Sequence, residues 1–235
     1  MKAAIKDGVK KLLGIPFGTI VGVATTRPVA ALTFDDGPDP AYTPRLLDIL
    51  ARHGAKATFF MLGERASRHP ELVARVAREG HEIGNHSWDH PSLASLSREE
   101  FDRQIDLARI ALRPHGARLM RPPHGYQTLK SFLSARRHGY EVVCWNIDCT
   151  DWQIDDGPAL ARSLDERLAS GAIILLHDSL AVFSEKRFID RRPTLDAVDR
   201  LLGARPDFRF LTVSELMQAG APVRRFWRSL PPRSG

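Results

Sequence analysis

The sequence predicts an α/β protein folded as a (β/α) barrel of about seven strands, similar to a TIM barrel. Short apolar runs alternate with helix-period segments along the 235-residue chain. Such alternation indicates parallel strands joined by right-handed crossovers. Residues 141–147 and 172–176 are almost uniformly apolar, which is typical of strands covered on both faces. About seven such units favour a barrel, complete or partial, and a doubly wound open sheet is the alternative.

Local signals support each unit in turn. Thr43 is placed to cap a helix, Pro44 suits its first position, and Gly54 can end it. Ser97 and Glu100 form a capping-box pattern before another helix. The predicted strand–helix pairs are 29–34 with 43–53, 57–61 with 70–79, 81–84 with 97–112, 118–120 with 128–138, 141–147 with 158–170, 172–176 with 194–202, and 208–213 with 214–218.

The chain divides into three parts. Residues 1–28 form an N-terminal extension with a short strand expected at 19–23, residues 29–220 form one domain, and residues 221–235 form a basic, proline-rich tail expected to fray. Four lysines precede an apolar run at 12–24, as in a signal peptide. Glycines and a proline interrupt that run, and it is too short to span a bilayer. We therefore expect a cytoplasmic or membrane-surface location, with secretion as the alternative.

Composition excludes some classes of protein. Hydrophobic residues make up 43% and charged residues 26% of the chain, so it is neither disordered nor membrane-spanning. The net charge of +6 suits an anionic partner, although arginines on amphipathic helices explain most of it. Because no nucleic-acid-binding motif is present, no nucleic acid partner is expected, while peripheral membrane contact stays open. Cys144 and Cys149 are expected to be unpaired thiols.

Polar residues gather where the predicted strands end. The carboxyl ends of the strands of a parallel barrel lie on one face, where active sites are found. The residues concerned are Asp35 and Asp36 after the first barrel strand, His86 and His90 after the third, Arg121 after the fourth, Asp148 and Asp151 after the fifth, and His177 and Asp178 after the sixth.

Two of these groups indicate a metal site. His86 and His90 are four residues apart, so that on one helical turn both imidazoles would face the same side. The Asp35–Asp36 pair offers a carboxylate as a third ligand. Two histidines and one carboxylate leave a position open for water, as in catalytic sites. The alternative interpretation of a histidine pair by itself is two polar residues on the protein surface.

The remaining groups suit acid–base chemistry. Hydrolysis of an amide needs a base for the attacking water and an acid for the leaving amine. His177 beside Asp151 would be a credible acid, and Arg121 could keep a base carboxylate ionised. The alternative for His177 is a half-buried histidine with satisfied hydrogen bonds, and the alternative for Arg121 is a surface salt bridge. Trp152 follows a strand end and is expected to form a substrate wall.

Five motifs together resemble those of the polysaccharide deacetylases of the NodB-homology type, a carbohydrate esterase family. The resemblance extends from about Val29 to Leu216. It implies a distorted (β/α) barrel and a divalent metal, most often Zn²⁺. The motifs are Thr33-Phe34-Asp35-Asp36-Gly37-Pro38, His86-Ser87-Trp88-Asp89-His90, Arg121-Pro122-Pro123-His124-Gly125, Asp148-Cys149-Thr150-Asp151-Trp152 and Leu175-Leu176-His177-Asp178.

The resemblance also implies a role for each site residue. At position 124 the family commonly has an aromatic residue, often tyrosine, whose backbone N–H helps to hold the oxyanion. A backbone donor survives the change to His124, but the sugar-facing surface is altered. By resemblance, Asp35 is the general base, oriented by Arg121; Asp36, His86 and His90 are metal ligands; His177 is the general acid, tuned by Asp151; and Trp152 and Leu175 line the acetyl pocket.

The expected function is removal of N-acetyl groups from the amino sugars of a polysaccharide or oligosaccharide, with an N-acetylated glycan as partner. The alternatives on the same fold are a deformylase or deacylase of a lipid-linked or small amide and an O-acetyl esterase. A glycan-binding protein without catalysis is a third reading. The sequence leaves the natural glycan and the oligomeric state open.

Overall fold

The computed structural model describes residues 17–183 and 185–227. The strands are β1 (Thr19–Ala24), β2 (Val29–Asp35), β3 (Ala57–Met61), β4 (Glu82–Asn85), β5 (Gly116–Met120), β6 (Glu141–Val142), β7 (Ile147–Asp148), β8 (Ile173–His177), β9 (Arg209–Phe210) and β10 (Ala221–Arg225). Seven of them form a curled parallel sheet in the order β6-β5-β4-β3-β2-β8-β7, and β9 pairs with β2.

Helices cover the outside of the sheet. The fully buried β2, VAALTFD, lies at the centre of the apolar core, as expected for a strand covered on both faces. The helices are α1 (Thr43–Arg52), α2 (Gly63–Arg68), α3 (Pro70–Arg78), α4 (Arg98–Ala111), α5 (Leu129–Arg137), α6 (Gly157–Arg167), α7 (Arg192–Ala204) and α8 (Val213–Gln218), with 3₁₀ turns at Pro123–Gly125, Asp151–Gln153 and Lys186–Ile189.

The barrel is distorted where its two ends approach. The single strand predicted at 141–147 is wrong, because β6 and β7 are separate. The backbone changes partner between them: Val143 N–H donates to Met120 on β5, Cys144 N–H to Ile20 on β1, and Asn146 N–H to Ile173 on β8. β1 therefore lies in the gap between the ends of the sheet.

The two ends of the described chain pair with each other as a two-stranded ribbon. β1, at the position predicted for a strand, pairs antiparallel with β10, from Thr19 opposite Arg225 to Ala24 opposite Ala221. The expectation of a frayed tail is thus wrong for the first five residues of the tail, since β1 supplies their hydrogen-bond partners. The lysine-rich start and the proline-rich end lie outside the described residues.

Other local expectations had mixed outcomes. The capping box of Ser97 and Glu100 is present at the start of α4. Thr43 does not cap α1; its hydroxyl accepts from Asp39 N–H and donates to Asp178 instead. The strand predicted at 208–213 shortens to β9, because Val213 already begins α8.

Both cysteines are buried and unpaired, as predicted. In the part of the chain that the structure covers, no helix is long and apolar enough to cross a bilayer.

Candidate active site

A cavity of about 350 Å³ opens at the carboxyl ends of the barrel strands. Arg121 and Asp151, two of the ten predicted site residues, lie fully buried just behind its wall. The other eight line the cavity: Asp35, Asp36, His86, His90, His124, Trp152, Leu175 and His177.

Asp35 and Asp36 at the end of β2 point to different partners. Asp36 has left-handed backbone geometry (φ 73°), which turns its side chain away from that of its neighbour. The Asp35 Oδ1 accepts from Arg121 Nη1 at 2.7 Å. The Asp36 Oδ2 accepts from Ala181 N–H at 2.8 Å, whereas its buried Oδ1 has no hydrogen-bond partner among the described residues.

The two histidines meet as predicted, but not on a helix. They lie on a loop after β4, in which Ser87 and His90 have positive φ. The start of α2, a helix that the sequence did not predict, fixes this loop because Gly63 N–H donates to Ser87 and Glu64 N–H to Trp88. The Nε2 atoms of His86 and His90 lie 3.4 and 3.3 Å from Asp36 Oδ1.

These three side chains fit a divalent cation. The His86 ring donates from Nδ1 to the Arg121 carbonyl at 2.8 Å, which leaves Nε2 as the nitrogen that faces Asp36. Burial lowers the pKa of His90 to about 3, although Asp36 acts in the opposite direction. The ligand atoms of the two imidazoles and the carboxylate lie within 4.8 Å of one another, a set that could hold a divalent cation.

Arg121 is a fully buried anchor rather than a surface residue. Besides Asp35, it donates to the Thr33 hydroxyl at 2.8 Å and to the carbonyls of Cys144 and Val143. Its guanidinium also lies over the Phe60 ring, 4.2 Å from the centroid. Arg121 therefore places a fixed positive charge directly on the Asp35 carboxylate through a charge-assisted hydrogen bond.

His177 and Asp151 form a second buried charge pair. The His177 Nδ1 lies 2.7 Å from Asp151 Oδ1, and its backbone N–H donates to Oδ2 at 2.9 Å. Burial lowers the pKa of His177, but Asp151 outweighs it and raises that pKa to about 9. With Nδ1 held by Asp151, Nε2 is the nitrogen available to the cavity, as a general acid requires.

Comparison with known proteins identifies the family. Residues 22–143 match the family model described as "Polysaccharide deacetylase". The chain belongs to the polysaccharide deacetylase family. This confirms the resemblance seen in the sequence, and the related structures have the expected distorted barrel fold.

Three relatives of this family member share most of its length. It is 37% identical over 202 residues to a peptidoglycan-N-acetylglucosamine deacetylase of Bacillus cereus, covering 83% of this chain and 91% of that one. It is 36% identical to a chitooligosaccharide deacetylase of Sinorhizobium fredii, covering 82% and 93%. Its fold matches that of the peptidoglycan deacetylase PdaC from Bacillus subtilis with a TM-score of 0.73 at 33% identity, covering 84% and 93%.

The third-motif turn of this polysaccharide deacetylase, Pro123–Gly125, carries His124. His124 has left-handed geometry (φ 57°) and an exposed ring. That ring lies 4.5 Å from the ring of His90 and 5.2 Å from that of Tyr126, between centroids. His124 therefore occupies one wall of the cavity beside a candidate metal ligand.

Several residues around the site gave no signal in the sequence. Trp227 donates from Nε1 to the carbonyl of Gly125 at 2.8 Å and packs edge-on against Trp145, a wall residue. Arg191 and Thr194, at the start of α7, lie against Asp151. All of them reach the site from segments that are distant in the chain, which no local pattern reveals.

Proposed function

We propose that this protein is a metal-dependent hydrolase that removes N-acetyl groups from the amino-sugar units of a polysaccharide or oligosaccharide. The observation that carries the proposal is that three groups surround one cavity: a carboxylate paired with a buried arginine, a candidate metal trio and a histidine–aspartate pair. Amide hydrolysis needs a base, an electrophile and an acid within reach of one bond. The names of the relatives support an acylated amino sugar as substrate.

Asp36, His86 and His90 would hold the metal, for which Zn²⁺ is the best candidate. A bound Zn²⁺ would polarise the acyl carbonyl and make a water molecule more acidic. Asp36 suits this task because Ala181 N–H fixes one carboxylate oxygen and leaves the other free. The Arg121 carbonyl likewise fixes the ring of His86, as backbone groups commonly orient metal ligands.

Asp35 would act as the base. Its carboxylate, which accepts a hydrogen bond from Arg121, would take a proton from the attacking water as the water oxygen bonds to the acyl carbon. The backbone N–H of His124 would donate to the oxygen that becomes negative. Trp152 and Leu175 would enclose the methyl group of the acetyl.

His177 would act as the acid. It gives the proton on Nε2 to the amide nitrogen while the carbon–nitrogen bond breaks, which yields acetate and a free amino sugar. Asp151 holds the ring through Nδ1 and stabilises its protonated form before the transfer.

The test compares Asp35→Asn with a matched control, Asp155→Asn, which changes an exposed aspartate. Acetate release is measured from N-acetylated chito-oligosaccharides and from peptidoglycan, with N-formylated and O-acetylated sugars included to define the acyl group. We expect turnover of the zinc-loaded Asp35→Asn protein to fall by about 10²–10⁴-fold and the control to match wild type. Wild-type turnover by the zinc-loaded variant would contradict the role of Asp35.

Metal content tests the ligands separately. Replacement of His86 and His90 by alanine should abolish stoichiometric zinc, measured by mass spectrometry of the dialysed protein, because one carboxylate alone binds Zn²⁺ weakly. As a control, the half-buried His69, which is not among the site residues, is replaced by alanine in parallel and should keep full zinc. Unchanged zinc in the double variant would exclude these ligands.

A further inference from the structure

Arg191 is a fully buried cation next to the acid pair. Its Nη2 donates to the backbone carbonyl of Asp151 at 2.8 Å and to the hydroxyl of Thr194 at 3.0 Å. Neither bond is to a carboxylate. Its Nε and Nη1 have no hydrogen-bond partner in the described part of the chain. A buried guanidinium with unused donors is costly, so a role beyond packing is expected of it.

Thr194 connects Arg191 to the Asp151 carboxylate. The Thr194 hydroxyl accepts from the guanidinium and donates to Asp151 Oδ2 at 3.1 Å. His177 supplies the other two donors to that carboxylate, from its backbone and its ring. Arg191 therefore contacts Asp151 in two ways: directly at its backbone carbonyl and, through the Thr194 hydroxyl, at its carboxylate.

We propose that Arg191 is a positioning residue of the acid pair, which fixes Asp151 and supplies the buried positive charge that lets His177 release its proton. The inference rests on the proposed function, since it takes His177 as the acid. When His177 gives up its proton, Asp151 stays behind as a buried anion. Arg191 compensates that anion, so that the transfer does not leave an isolated buried charge.

The charge balance predicts a direction of change. Without Arg191, loss of the proton would be less favourable, so the pair would keep it to a higher pH and donate it less readily. The other titratable groups that face His177 do not replace this charge, because two of them are carboxyl groups and desolvation lowers the pKa values of the two histidines. Those groups are Asp35 and Asp36 from the end of β2, His90 from the loop after β4, and His124 from the turn after β5.

The experiment follows the His177 ring by NMR in zinc-loaded protein with isotope-labelled histidine, its signals assigned with His177→Gln. Arg191→Met should raise the pKa of the pair by about one unit, while Arg191→Lys, which keeps the charge, should stay near wild type. The matched control is Arg192→Met, which removes the exposed neighbouring arginine. The basic limb of the kcat/KM pH profile should move with the NMR titration.

An unchanged or lower pKa in folded Arg191→Met would overturn the proposal and leave Arg191 a structural residue. If that variant does not fold, Thr194→Val is used instead. Loss of the hydroxyl that donates to Asp151 should raise the pKa of the His177–Asp151 pair by a smaller amount. An unchanged pKa in Thr194→Val would overturn the proposal. The NMR readout is separate from catalysis. Absence of acetate release by the wild-type protein would reject the proposed function, whereas the titration would still measure what Arg191 does to the pair.

Discussion

Arg121 and Arg191 are both fully buried, yet they serve the cavity in different ways. Arg121 bonds directly to the Asp35 carboxylate and fills its other contacts with a hydroxyl, two carbonyls and an aromatic face. Arg191 bonds only to a carbonyl and a hydroxyl. Direct pairing places a fixed positive charge on the carboxylate that is proposed to take the proton of the attacking water. A cation set one group further back leaves its carboxylate free to share a proton with a histidine.

The largest expected effect concerns the direct pair. Arg121→Met leaves Asp35 buried without its counter-charge, which should lower the free energy of unfolding by about 3–5 kcal/mol. Arg191→Met breaks no direct ion pair and should cost less. Urea denaturation of both variants at pH 7 measures the difference. Equal losses would show that the two arginines are not distinguished by their pairing.

The next effect concerns the pH dependence of catalysis. Asp151 raises the pKa of His177 to about 9 against the effect of burial, so Asp151→Asn should move the basic limb of the kcat/KM profile to lower pH, by about 1–3 units. Arg191→Met should move the same limb in the opposite direction. The profiles are recorded with zinc-loaded proteins on one N-acetylated oligosaccharide. A basic limb that moves in the same direction in both variants would contradict the comparison.

The same pair should make stability depend on pH. A raised histidine pKa contributes stability that is complete below the unfolded value of about 6.5 and is lost as the pH rises through about 9. Asp151→Asn should therefore cost more unfolding free energy at pH 6 than at pH 10. Urea titrations at the two pH values measure this difference, and equal costs would exclude the coupling.

The smallest expected effects concern the two threonines that accompany the arginines. Thr33→Val removes an acceptor from Arg121 and a donor to the Ile174 carbonyl, and should cost about 1–3 kcal/mol without moving the basic limb of the pH profile. Thr194→Val should move that limb, because its hydroxyl contacts Asp151 directly. If Thr33→Val also shifted the basic limb, the Arg121–Asp35 group could not be distinguished from the Arg191–Asp151 group by this measurement.

The sequence predicted the fold class and the set of strand-end residues, because both depend on short-range patterns. Periodicity gives the strands and helices, and parallel pairing then places Asp35, Arg121 and His177 at one edge. The same patterns could not show the change of partner between β6 and β7. That break depends on β1 entering the gap, a contact between distant segments.

The sequence pattern grouped His86 and His90 correctly but predicted the wrong backbone structure for them. Their spacing suggested a helical turn, but backbone hydrogen bonds from α2 hold an irregular loop in place. Arg191 and Trp227 lay beyond prediction for a related reason. Arg191 begins an ordinary amphipathic helix, and Trp227 follows a basic segment. Only the tertiary fold brings either side chain to the site.

The ribbon of β1 and β10 has a consequence for how the protein is made. Thr19 pairs with Arg225, so the ribbon can form only after nearly the whole described chain has left the ribosome. Loop closure over such a separation is slow relative to local folding. Trp227 follows this ribbon and bonds to Gly125 in the third-motif turn. The wall that carries His124 is therefore completed only when the end of the described chain has joined the barrel.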